Sequence, residues 1–190
     1  MKLLRGLLLA VVLFSALLRH ADAQVIQVTQ FTLEASEEGH IVNANFELEL
    51  TSRLEEALNN GVALFFAVEF ELIRSRWYWL DEKTANARID IRLSFNPLLR
   101  QYRLSTGTLQ WNFSSYADAL NNLTRIRSWL VLERDKLPPD TAYLASLRMR
   151  LDTAQLPRPF QISALTDREL NLSSTWKRLP YVTEAERSPR

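Results

Sequence analysis

This sequence has no cysteine, only two histidines and four glycines among 190 residues, and a formal charge of just +1. Without cysteine there is no disulfide framework, no thiol nucleophile and no thiolate metal site. So few glycines leave no Gly-rich phosphate loop. A near-neutral chain has no electrostatic reason to seek nucleic acid. Long apolar runs are also scarce. The only one that could suggest a membrane lies at the very start, from Gly6 to Leu18, and it is shorter than the roughly 20 residues a spanning helix needs.

That first run has the layout of an export signal. Met1-Lys2-Leu3-Leu4-Arg5 is a positive n-region, Gly6 to Leu18 the apolar segment, and Ala21-Asp22-Ala23 a small-residue cleavage site. The expectation is a signal peptide over 1–23, a mature chain starting at Gln24 and a periplasmic address, with an uncleaved anchor as the alternative. No cysteine follows the apolar segment, so a lipoprotein signal is excluded. Removing 23 of 190 residues leaves 167, one domain's worth, large enough for a core without disulfide staples. Losing Lys2, Arg5 and Arg19 takes 23 basic residues to 20, and losing Asp22 takes 22 acidic residues to 21, for a net charge of −1. The mature chain has no further membrane-spanning segment, one histidine (His40) and three glycines.

What is present is alternation. Val25 to Ala35 is β-branched and aromatic, Ser36 to Gly39 reads as a turn, and Ile41 to Leu50 alternates strictly. Ser52 with Glu55 suggests a capped short helix ending at Asn59-Asn60-Gly61. From Val62 to Leu72 the even positions are apolar. The phase then flips, which places a β-bulge near Leu72-Ile73. A return strand carries Ala85, Ala87, Ile89, Ile91, Leu93 and Phe95 inward, and Arg88, Asp90 and Arg92 outward. Asn96-Pro97 breaks it, and short strands follow around Tyr102 and Trp111.

A second helix is expected from Ser115, with helical spacing carried to Leu130, and a strand is expected from Trp129 to Glu133. Tyr143 to Leu151 is a further strand. Leu156 to Pro159 reads as extended, Leu170 to Trp176 as a last edge strand, and 181–190 as a disordered tail. About eight strands and two helices in one domain over 24–180 predict a mainly β fold. The predicted fold is an antiparallel β-sandwich, immunoglobulin-like, with a curved sheet packed on helices (α+β) as the alternative.

Chemistry is thin. His40 sits in a turn and reads as an exposed residue. One histidine and no cysteine remove Ser-His-Asp, Cys-His and the usual zinc sites, so no catalytic residue, metal or cofactor is assigned. Two carboxylate pairs remain, Glu69/Glu71 and Asp81/Glu82. The first reads as a solvated sheet face and the second as turn residues. Three N-x-S/T triplets, at Asn112, Asn122 and Asn171, matter only in a eukaryotic secreted protein. The segment Arg74-Ser75-Arg76-Trp77-Tyr78-Trp79 is the most distinctive. Arg74, Arg76, Trp77 and Trp79 are its candidate binding residues, because cations interleaved with aromatics suit interfaces and also pack by cation–π contact.

Four motifs in this order resemble a known family. They are Arg74-x-Arg76-Trp77-x-Trp79 before Asp81-Glu82; Leu93-x-Phe95-Asn96-Pro97-Leu98-x-Arg100-Gln101-Tyr102; Arg148-x-Arg150-Leu151-Asp152 before Leu156-Pro157-x-Pro159; and Trp176. Together they are similar to an uncharacterised family of exported proteins of Gram-negative bacteria, domain of unknown function 4390. The family has no assigned activity, so the resemblance transfers no catalytic residue. Its members are often encoded beside a membrane sensor histidine kinase, which implies an accessory role with an envelope protein partner. From the residues themselves, the expectation is a non-enzymatic binding or interaction module. Its alternative is a carrier of a lipid or other apolar ligand, motivated by Phe65, Phe66 and Phe70.

Overall fold

The computed structural model describes residues 26–74 and 82–183. Among these residues are nine strands, three short α-helices and two antiparallel sheets. β1 (Ile26–Ala35), β2 (Gly39–Leu48) and β7 (Arg125–Glu133) form a three-stranded sheet in the order β1-β2-β7. The second sheet has six strands in the order β6-β5-β4-β3-β8-β9. These are β3 (Leu64–Arg74), β4 (Glu82–Asn96), β5 (Gln101–Thr106), β6 (Leu109–Phe113), β8 (Ala142–Leu151) and β9 (Lys177–Val182). The small sheet lies over part of the large one, with β1 against β8 and β9, and β7 against β4. The expected mainly β, sandwich-like arrangement is what the chain forms.

The alternation seen in the sequence becomes the core. Phe66, Val68, Phe70 and Leu72 of β3 are buried facing Val42, Ala44 and Phe46 of β2. Phe31, Phe70 and Trp129 meet edge to face, with centroids 6.5 and 6.4 Å apart. β4 has the expected phase: Ile91 and Leu93 are buried, Ile89 and Phe95 are half-buried against the core, and Arg88, Asp90 and Arg92 face out. The register of β3 on β4 slips between Leu72 and Ile73, where the phase flip placed a bulge. At Gly39, φ is +150° and an added Cβ would lie 2.2 Å from the Leu132 carbonyl oxygen, so the β1–β2 turn admits only glycine.

Several details differ from the sequence expectations. α1 (Ser52–Asn59) takes Thr51, not Ser52, as its N-cap, and neither α1 nor α2 (Tyr116–Leu123) has a side-chain cap bond. Glu55, expected in a capping box, instead accepts a hydrogen bond from the Tyr116 hydroxyl at 2.9 Å. α2 ends at Leu123, so Ile126 and Leu130 lie on β7 although their spacing suits a helix; pairing with β2 decides the matter. A third helix, α3 (Arg158–Ala164), occupies a stretch whose prolines read as extended. Proline is tolerated in a helix's first turn, where no N–H partner is lost.

Residues 170–176 form one bridge, Ser173 to Arg150, and the true edge strand is β9, which carries Pro180. Order extends past Pro180: Tyr181 and Val182 belong to β9, and the Thr183 hydroxyl donates to the Pro138 carbonyl at 2.7 Å. The segments expected as signal peptide and as most of the tail, 1–23 and 184–190, lie outside the described residues.

Candidate functional site

Arg74, the last residue of β3, is half-buried and pairs across the hairpin with Glu82. Arg76, Trp77 and Trp79 lie outside the described residues. Of the arginine–aromatic segment, Arg74 alone is among the described residues.

The outer face of the six-stranded sheet carries a row of charges. Antiparallel register puts Arg88 of β4 opposite Glu69 of β3, and Glu69 opposite Arg148 of β8. The Glu69 carboxylate accepts from Arg148 Nε at 2.6 Å and Arg150 Nε at 3.0 Å, with Arg88 at 3.8 Å. Arg88 donates to Asp90 at 2.5 Å and to Asp152 at 2.7 Å. The Arg148 guanidinium also lies 4.4 Å from the centre of the Trp176 ring.

Burial alone would push the Glu69 carboxyl up, but hydrogen bonds from Arg148 and Arg150 outweigh it and hold the pKa below the usual glutamate value. Asp152 behaves alike: burial opposes ionisation, and Gln155 and Arg88 overcome it. Arg88 is held more firmly protonated, first by Asp90 and then by Asp152. Three arginines face three carboxylates here, so the row is internally neutralised. Glu69 is no free base, and it is not the solvated residue the sequence suggested.

His40 also corrects its sequence reading. It is buried at 8% exposure, edge-on to Tyr181 with centroids 5.7 Å apart, and its Nδ1 has no hydrogen-bond partner among the described residues. Burial lowers its pKa. Among the described residues no group of three His, Asp or Glu side chains is placed to hold a metal.

A concave feature with room for a ligand lies where the small sheet stops short of the large one. β7 is the outer strand of the small sheet, while β5 and β6 extend beyond it. α2 covers part of the gap. What remains is a cleft of about 460 Å3. Its walls are Ile89, Ile91, Leu104 and Trp111 on one side and Leu123, Ile126 and Trp129 on the other. Thr106, Asn122, Arg125 and Arg127 supply the polar part of the lining, and no carboxylate among the described residues contributes. Arg127 is committed to the fold, donating to the carbonyls of Ala44 and Ile126 and to Asn45 Oδ1 at 2.6–2.9 Å. This pins a β7 bulge at Ser128, whose φ is +47°. Arg125 is exposed and forms no ion pair among the described residues.

The family model described as Domain of unknown function (DUF4390) matches residues 23–180. The chain belongs to this family. No curated protein and no solved structure matches it. Within the DUF4390 match, the Arg148–Asp152 motif and Trp176 are the residues brought together in the outer charged row. The Leu93–Tyr102 motif spans the end of β4 and the β4–β5 turn. Sequence inspection missed the cleft, because its walls come from β4, β5, β6, α2 and β7. The one available signal was the alternating apolar triplet Leu109, Trp111 and Phe113 on a strand too short to be a core strand.

Proposed function

We propose that this DUF4390 protein is an exported, non-catalytic binding module of the periplasm that takes an apolar ligand into the cleft between its two sheets. The cleft itself carries this reading. It is within the roughly 300–1,000 Å3 typical of small-molecule sites, and its two walls are mainly aliphatic and aromatic. Arg125 at its polar part suits a ligand with one anionic end. The export signal expected at the N-terminus supports the address. The shortage of nucleophiles and bases, with His40 buried and Glu69 clasped, supports a role without catalysis.

Trp111 and Trp129 make the cleft self-reporting. Titration with palmitate should change tryptophan emission saturably, and Trp111→Glu should weaken binding while the melting temperature holds, since Trp111 is 46% exposed. Native mass spectrometry of protein purified from the periplasm should show a co-purifying lipid-sized molecule. No bound species and no saturable titration would end this reading.

A second reading, an accessory that docks an envelope protein such as a sensor kinase, is favoured by β6. This strand is the outer strand of its sheet, pairs with β5 in unbroken register and exposes Leu109 and Trp111. Such an edge suits strand addition by a partner. Crosslinking from a cysteine introduced at Gln110 would trap that partner, and recovery of abundant bystanders alone would dismiss it.

A further inference from the structure

We propose that the end of the sandwich carrying the β4–β5 turn docks on an anionic lipid surface, with Leu98 and Leu99 entering the apolar layer and Arg92, Arg100 and Arg103 meeting lipid phosphates. Turns ordinarily carry Gly, Pro, Asn, Asp or Ser. After Pro97 this one carries Leu98, Leu99 and Arg100, and its two leucines are 94% and 62% exposed.

They are held outward by construction. Asn96 pairs with Gln101 to close the turn, and Asn96 Oδ1 accepts hydrogen bonds from the backbone N–H of Leu98 at 3.0 Å and of Leu99 at 3.1 Å. Arg100 closes the loop in the left-handed region, at φ +52°. An isolated exposed leucine is ordinary. Two adjacent ones on one turn form an exposed apolar point at the rim of a hollow.

The charge beside that point has one sign. A hollow of about 350 Å3 against the turn contains Arg92 and Arg103 with Ser94, Asn96 and Asn112, and no carboxylate among the described residues. Arg92 lies over the Phe65 ring at 5.9 Å, and Arg103 Nε donates to Asn112 Oδ1 at 3.0 Å. Neither forms an ion pair among the described residues, in contrast to Arg88, Arg148 and Arg150 on the same sheet face. Guanidinium groups with unspent charge match phosphate oxygens.

The same end of the sheet holds more apolar surface. Leu93 pairs with Leu64, and Phe66 with Leu151, so α3, which follows β8, belongs to the end that bears the β4–β5 turn. Ile162 and Leu165, in and just after α3, are 68% and 84% exposed. Separate exposed aliphatic points, with arginines beside the turn, suit a fluid interface, where each point inserts and each cation finds a headgroup. A folded partner would need a continuous patch. The inference is independent of the cleft reading, because docking requires no ligand in the cleft.

The test is sedimentation of the purified protein with phosphatidylcholine vesicles, with and without phosphatidylglycerol. Binding is expected to require phosphatidylglycerol and to weaken with salt. Leu98→Asp with Leu99→Asp should lower partitioning about tenfold or more, since it removes both inserted side chains and adds charge. Arg92→Gln with Arg103→Gln should abolish the preference for phosphatidylglycerol. Leu98, Leu99 and Arg92 are exposed and Arg103 is half-buried, and none belongs to the core, so circular-dichroism melting should match the parent and exclude misfolding as the cause. Absence of binding, a leucine variant that binds like the parent, or complete competition by inorganic phosphate would each overturn the proposal.

Discussion

Glu69→Ala tests whether the outer charged row holds the six-stranded sheet together. The Glu69 side chain is 17% exposed, and those of Arg148 and Arg150 are 32% and 28% exposed. Removing the carboxylate deletes two charge-assisted hydrogen bonds and leaves neighbouring guanidinium groups without it between them. A fully exposed pair would be worth about 0–1 kcal/mol. Breaking a fully buried one costs about 3–5 kcal/mol. At this intermediate burial the expected loss is about 2–3 kcal/mol. Urea denaturation reads it as a lower midpoint with an unchanged slope. A cycle with Arg148→Ala should show the two losses to be far from additive.

The acid limb gives a second, independent signature. The folded pKa of Glu69 lies below its unfolded value, so its contribution is complete above about pH 4.3 and is lost as pH falls through the folded value. Glu69→Gln should therefore flatten part of the acid-side decline. A midpoint shift equivalent to less than about 0.5 kcal/mol, with an unaltered acid limb, would mean that Glu69 is a solvated residue after all.

Leu93 is fully buried where β4 pairs with β3, and Leu93→Ala should cost about 2–5 kcal/mol in urea denaturation. His40 has a folded pKa below its unfolded value of about 6.5, so below that pH the unfolded chain binds the proton more readily and stability falls. His40→Phe should flatten the pH dependence in that window, as read by melting temperature against pH. Gly39→Ala should prevent or severely weaken folding, because the new Cβ meets backbone at 2.2 Å, whereas Gly107→Ala, at φ +55° in open space, should cost only about 1–2 kcal/mol. Equal thermal shifts for these two alanines would contradict the close approach of the β1–β2 turn to Leu132.

Strand identity and facing were legible in the sequence because the pleat has period two, so each apolar alternation names its own buried face. β4 shows this directly, with Ile91 and Leu93 in and Arg88, Asp90 and Arg92 out. Even the bulge at Leu72-Ile73 was visible, because one extra residue must reverse the phase. Local pattern failed where two structures satisfy it equally. Ile126 and Leu130 suit a helix or a strand, and only the presence of β2 alongside selects the strand.

It also failed wherever the deciding neighbour is distant in sequence. Glu69 on a strand face looks the same whether water or Arg148 lies opposite, and Arg148 arrives only when β8 docks on β3. His40 in a turn looks exposed until β9 places Tyr181 against it. The sequence by itself determined the alternating strands, their inward faces and the scarcity of catalytic groups, because these follow from residue type and period. The tertiary structure alone decided the burial of His40, the clasp on Glu69 and the cleft walled by Ile91 and Ile126, because each depends on which strands the two sheets bring together and where the smaller sheet stops.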